Sequence, residues 1–197
     1  MPNSVTNSWI RITNWLRENA PDALSSAGAP ATTQQIDEAE TAMASQLPSE
    51  LREFYAILNG ADESGVFPSQ DEWDDMAYGP LPLEQIVDEW TSQKELLDMG
   101  DFADRDPSSA SGIANDWWNI SWIPFAGNGG GDFICIDLAP ASGGTCGQII
   151  THSHESGEHV VLASSLADYL QQLADAMESG ALEYDPDCGV QTPVDDE

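Results

Sequence analysis

The chain has 197 residues, with 35 Asp and Glu against 5 Lys and Arg, a formal net charge of −30. So anionic a surface repels phosphate, which argues against nucleic-acid binding and against docking to acidic lipid. The length suits one domain able to bury roughly 70% of the surface its unfolded form exposes, and seven Trp within a 41% hydrophobic composition exclude a disordered chain.

The N-terminus lacks a basic start followed by an apolar run, so the chain reads as soluble and cytoplasmic. A first helix is predicted over 9–19, closing before Pro21. Thr32 and Gln35 have capping-box spacing, and Ile36, Ala39 and Met43 follow at helical intervals. The next segment, LPSELREFYAILNGA, places Pro48 in a first turn and Leu51, Phe54, Tyr55 and Leu58 on one stripe, with Asn59-Gly60 as a stop. A fourth helix over 83–97 gathers Leu83, Ile86, Val87 and Trp90. Then the period changes to two. Strands are expected at 121–125, 133–138, 147–151 and 159–163, joined by the turn-rich AGNGGGD, APASGGTC and HSHESGE. A closing helix over 165–179 carries Leu166, Tyr169, Leu170, Leu173 and Met177.

Helices, then an antiparallel meander, then a helix define an α+β fold. In FICID, Ile134 and Ile136 share one face with Leu138, while Phe133, Cys135 and Asp137 share the other; the first face needs a helical cover. Residues 1–182 are expected to form one domain, and 183–197 an acidic mobile tail without periodic apolar residues.

Carboxylates concentrate in the middle of the chain. Residues 62–106 carry fourteen acids and two bases. Adaptation to high salt would spread acid evenly, whereas Asp71, Glu72, Asp74 and Asp75 crowd around Trp73 with no Lys or Arg nearby. An aromatic ring among acids is hard to place in a core, so Trp73 is the expected anchor of a binding face. Asp101, Asp104, Asp106 and Asp116 extend this face. Trp117 and Trp118 follow; strand alternation would bury one and expose the other as an interface anchor, and the alternative is that both belong to the core.

The other motifs point away from catalysis. Gly127-Asn128-Gly129-Gly130-Gly131-Asp132 has Asp132 where a dinucleotide fingerprint needs its last glycine, and no phosphate-loop GK[ST] follows. It reads as a strand-joining turn in which Gly127, Gly129 and Gly131 supply backbone freedom and Asn128 and Asp132 can face a partner. His152, His154 and His159 sit close in sequence, yet an exposed hairpin turn seldom fixes a metal, and no metal or other cofactor is expected. No serine occupies a nucleophile elbow, and carboxylate pairs among 35 acids carry no information about hydrolysis. The odd cysteines, Cys135, Cys146 and Cys188, form no CxxC and read as reduced thiols.

The order LPSELREFYAILNGA, PLPLEQIVDEW, WWNISWIPFAGNGGGDFICIDLAP, GQII and VLASSLADYLQQL resembles the SUKH superfamily, named in part for fungal cell-wall-synthesis regulators. The resemblance runs from about Trp9 to Met177 and implies an α+β domain without catalytic residues. For bacterial members it implies an immunity protein that blocks a cognate toxin, such as a nuclease or deaminase. The expectation drawn from charge and resemblance together is therefore a toxin inhibitor whose acidic face covers a basic active-site cleft. A regulatory or scaffold domain of the fungal type is the alternative. The insert at 100–116 and the acidic tail depart from the common pattern.

Overall fold

The computed structural model describes residues 4–25, 27–61, 64–69 and 76–193. Helix α1 spans Val5–Asn19, where the Ser4 hydroxyl accepts from the Asn7 N–H and Val5, Trp9, Ile12 and Leu16 form the buried stripe. Helix α2, Thr33–Met43, begins with the anticipated capping box, Thr32 and Gln35 satisfying each other's backbone donors. Helix α3 is short, Ser49–Tyr55, and the chain passes through a turn before Asn59. Strand β1, Gly79–Pro80, precedes α4, Leu83–Met99, which stops at left-handed Gly100.

A short β2, Ser108–Ser109, comes before the meander: β3 Trp122–Gly127, β4 Phe133–Asp137 and β5 Gln148–His152. Two short strands follow, β6 Glu158–His159 and β7 Val161–Ala163, then α5, Leu166–Ser179, capped by the Ser165 hydroxyl. The main sheet has the order β1-β3-β4-β5-β7 and every pairing in it is antiparallel. Helix α5 lies on the sheet and packs along α1, where Arg11 bonds Asp175 at 2.6 Å and Glu178 at 2.5 Å. The fold is α+β, as the change of period predicts.

Both faces of β4 are buried, which the alternation in FICID left open for the second. That face is covered by the segment 108–118. Parallel pairing of β2 with β6 anchors it, the Ser108 N–H donates to the Gly157 carbonyl, and the Gln148 amide donates to the Gly112 carbonyl. Ile113 and Trp118 belong to the core. Parallel pairing between residues 50 apart in sequence leaves no local pattern to read.

The segment expected to be a mobile tail from Glu183 instead forms a hairpin of β8, Glu183–Asp185, and β9, Gly189–Gln191. Val190 is fully buried and its N–H donates to the Gly65 carbonyl, while the Cys188 carbonyl accepts from the Ala77 N–H and Tyr184 packs against the core. One fully buried apolar side chain gives no periodicity, so the sequence does not signal the hairpin.

Candidate functional site

The anchor expected at Trp73, with Asp71, Glu72, Asp74 and Asp75, lies outside the described residues. The rest of the expected face lies on and just ahead of the segment that covers the sheet. Asp101, Asp104 and Asp106 are exposed on the loop leaving α4, and Asp116 is exposed where the chain turns toward β3. Asp116 accepts from the Asn119 side-chain amide at 2.7 Å, while its own backbone carbonyl lies 3.1 Å from His159 Nε2. Asp116 therefore rides on a backbone tied to the sheet, and Asp101, Asp104 and Asp106 stand on the loop just ahead of the tied segment.

Trp117 and Trp118 do not alternate. They are 8% and 2% exposed, because they lie in an irregular segment ahead of β3 and not within a strand. Trp117 packs near Phe102 and lies under the Arg105 guanidinium, 4.8 Å from the ring centroid. Its other side fills the space that a side chain on Gly157 would need. Trp118 turns inward, edge-on to His152 at 5.0 Å and to Trp122 at 5.9 Å.

Beneath this surface is a layer of buried rings. His152 stacks on Phe133, its partner across the β4–β5 register, with an interplanar angle of 8°, and on His159 at 16°. Neither nitrogen of His152 has a hydrogen-bond partner. Burial pushes its pKa down to about 3, helped by the neighbouring His159. His159 places its ring nitrogens 3.1 Å from the carbonyls of Thr151 and Asp116. A neutral ring can donate to only one of them; burial lowers its pKa although both carbonyls favour the charged form.

These positions correct the view of the histidines as one exposed cluster. His152 ends a strand and is buried, His159 is held by backbone, and only His154 stands on the turn, where its Nδ1 meets Asp132 Oδ1 at 2.8 Å. Among the described residues no group of three or more His, Cys, Asp or Glu could hold a metal ion.

The glycine turn joins β3 to β4, and no helix begins there. Gly129 and Gly131 have φ of 76° and 105°, the left-handed region that glycine enters freely. The Asn128 side-chain oxygen accepts from the N–H groups of Gly130 at 2.8 Å and Asp132 at 3.2 Å, closing the turn on itself. Asp132 also accepts from the His154 N–H, clamping the turn to the β5–β6 connection. Asn128 and Asp132 thus use polar atoms to shape the loop. Gly127 is buried within β3, beside the side chains of Leu81 and Phe133.

Asp137, missed as a structural residue by sequence reading, closes the far end of the same sheet face. It accepts from the Ala139 N–H and from the Gln148 amide, which also reaches the Gly112 carbonyl. Burial raises its pKa, and these bonds oppose the shift. The cysteines are free thiols, with Cys135 buried and its pKa raised by desolvation.

A five-stranded antiparallel sheet between α1 and α5 on one side and a pinned, carboxylate-bearing cover on the other defines the class: a helix-flanked α+β domain with an acidic surface. The chain belongs to the SMI1/KNR4 family (SUKH-1), whose model matches residues 30–172. Its relatives include the cell wall biosynthesis/cell cycle regulator smi1 of Schizosaccharomyces pombe, 31% identical over 201 residues that cover 95% of this chain and 39% of the relative. The glucan synthesis regulatory protein of Neurospora crassa is 27% identical over 217 residues, 93% of this chain and 40% of its own. The cell wall assembly regulator SMI1 of Saccharomyces cerevisiae is 22% identical over 211 residues, 88% of this chain and 40% of its own. The chain thus spans about two-fifths of the length of these relatives.

These relatives overturn the expectation of a bacterial immunity protein. They are named as fungal regulators of glucan synthesis and the cell wall, so the toxin partner inferred from acidic charge has no support. The physical error was one of specificity: negative charge complements any cationic surface and does not identify a nuclease cleft. Among the described residues no helix is long and apolar enough to cross a membrane.

Proposed function

We propose that the chain is the protein-binding, non-catalytic domain of a cytoplasmic regulator of cell-wall synthesis. The observation that carries this reading is alignment with proteins named as cell-wall and glucan-synthesis regulators over 93% and 95% of the chain. The exposed carboxylates support it physically. Asp101, Asp104, Asp106 and Asp116 face solvent on and just ahead of the tethered segment, where they steer a cationic partner and contribute more to capture rate than to the lifetime of the complex. On this reading the partner is a protein, with no nucleic acid or membrane involved.

The test is a domain exchange. This chain replaces the matching segment of the Schizosaccharomyces pombe regulator, and cell-wall glucan is measured in cells lacking the native protein. Restored glucan synthesis is expected from the folded chimera. A chimera that accumulates and folds yet restores nothing counts against the assignment. Replacing the four aspartates with asparagine should slow capture of the regulator's partner and flatten its dependence on salt, with dissociation changing little.

A further inference from the structure

A second surface lies away from the 101–116 segment. Helices α2 and α4 pack side by side, and between them runs a groove of 380 Å3. Its apolar floor comes from Ala39, Ala42, Leu83 and Val87. Two alanines three apart on α2 are too small to close the gap to α4, which is why the furrow is open. Its walls are Glu38 on α2 and Glu84 and Asp88, one turn apart, on α4.

Among the described residues no Lys or Arg pairs with these three carboxylates. The chain has five Lys and Arg. Arg11 engages α5, Arg52 engages Glu40 with Asp37 at its margin, and Lys94 engages Asp98. Arg17 bonds Asn14, and Arg105 covers Trp117. Each is committed elsewhere, so the groove keeps uncompensated negative walls over an apolar floor.

The groove is preformed. The capping box fixes the start of α2, and near its end Glu40 accepts from the Leu47 N–H at 2.7 Å, from Gln46 and from Arg52. Asn59 borders the groove while its oxygen accepts from the Leu83 N–H, fixing the start of α4. A shallower depression of 530 Å3 continues past Glu38 and Ala42 along α2 to Asp37 and Thr41. Eleven helical residues give this track a length of about 16 Å, enough for about five extended residues.

The geometry points to this groove as a docking site for a short basic segment of a partner protein, in which an apolar side chain is flanked by Lys or Arg. The apolar side chain enters between Ala39, Ala42, Leu83 and Val87, and its cationic neighbours meet Glu38, Glu84 and Asp88. A second copy of the chain is a poor occupant, because its own surface is anionic. The inference deepens the protein-binding reading by naming the chemistry of one partner segment, and it rests on that reading.

The test titrates the folded chain with an acetylated hexapeptide, Lys-Leu-Lys-Lys-Leu-Lys, following backbone amide shifts by NMR. Saturable shifts confined to residues lining the groove are expected, with no response to the same peptide bearing Glu for Lys. Glu38→Gln/Glu84→Gln/Asp88→Asn should weaken binding about tenfold. The exposed triple variant Glu18→Gln/Glu95→Gln/Glu155→Gln removes equal charge elsewhere and should change it less than twofold. Ala42→Phe fills the groove from an exposed position without altering charge, and should abolish the localised shifts. Shifts scattered over the surface, equal losses in the two triple variants, or a dimer that Ala42→Phe dissociates would overturn the proposal. If the peptide fails while the domain exchange restores glucan, only the groove assignment falls.

Discussion

Replacing His152 with leucine tests how the ring layer sets acid sensitivity. In the folded protein the imidazole is held neutral, with its pKa pushed down to about 3, whereas the unfolded chain titrates near the ordinary 6.5. As pH falls below 6.5 the unfolded state takes up a proton that the folded state refuses, so stability is lost progressively toward pH 3. Each pKa unit corresponds to about 1.4 kcal/mol, so His152 alone removes about 2 kcal/mol between pH 8 and pH 5, and about 5 kcal/mol once pH is below 3. The His152→Leu variant lacks this term. At pH 8 it should lie within about 1 kcal/mol of the parent, since it removes two unpartnered nitrogens together with the stacking on Phe133 and His159. Urea unfolding at pH 8 and pH 5, read by tryptophan fluorescence, supplies the comparison. The parent should lose about 2 kcal/mol more than the variant over that interval. Parallel losses would refute the idea of a buried neutral ring, and comparing the two proteins cancels the titration of the many carboxylates common to both.

Two further perturbations test the supports of the surface and the groove. Gly157→Ala should destabilise by at least about 2 kcal/mol in urea unfolding, because the position has φ of 63° and an added Cβ would lie 2.3 Å from the Trp117 ring. Glu40→Gln should lower stability by about 3 kcal/mol, since it breaks a buried carboxylate bound by Arg52 and by the Leu47 N–H; a loss below about 1 kcal/mol would show that the bend after α2 does not depend on it.

Much of the fold was legible because it is local. The capping box at Thr32 and Gln35, the Leu166 to Met177 stripe and the alternation in β4 each announce their element within a dozen residues. What escaped depends on distant partners. Strand β2 exists because His159 and Gly157 offer it carbonyls, β1 because β3 runs beside it, and the terminal hairpin because Val190 finds the core. The exposure of Asp101, Asp104, Asp106 and Asp116 followed from their charge, but the burial of both Trp117 and Trp118 did not follow from strand alternation. Helices α2 and α4 were both anticipated, yet a groove between them depends on how two alanines meet a neighbouring helix, and helical periodicity says nothing of that pairing.

The cover over the second sheet face has a kinetic consequence. Because Trp117 and Trp118 are wedged into it and its backbone is stitched to β6, Asp116 is presented on a fixed platform, and Phe102 and Arg105, packed on Trp117, hold the neighbouring loop that carries the other aspartates. Little freedom remains there to be surrendered on contact, so a partner meets a finished template, and the speed of recognition is set by collision and alignment in place of loop rearrangement.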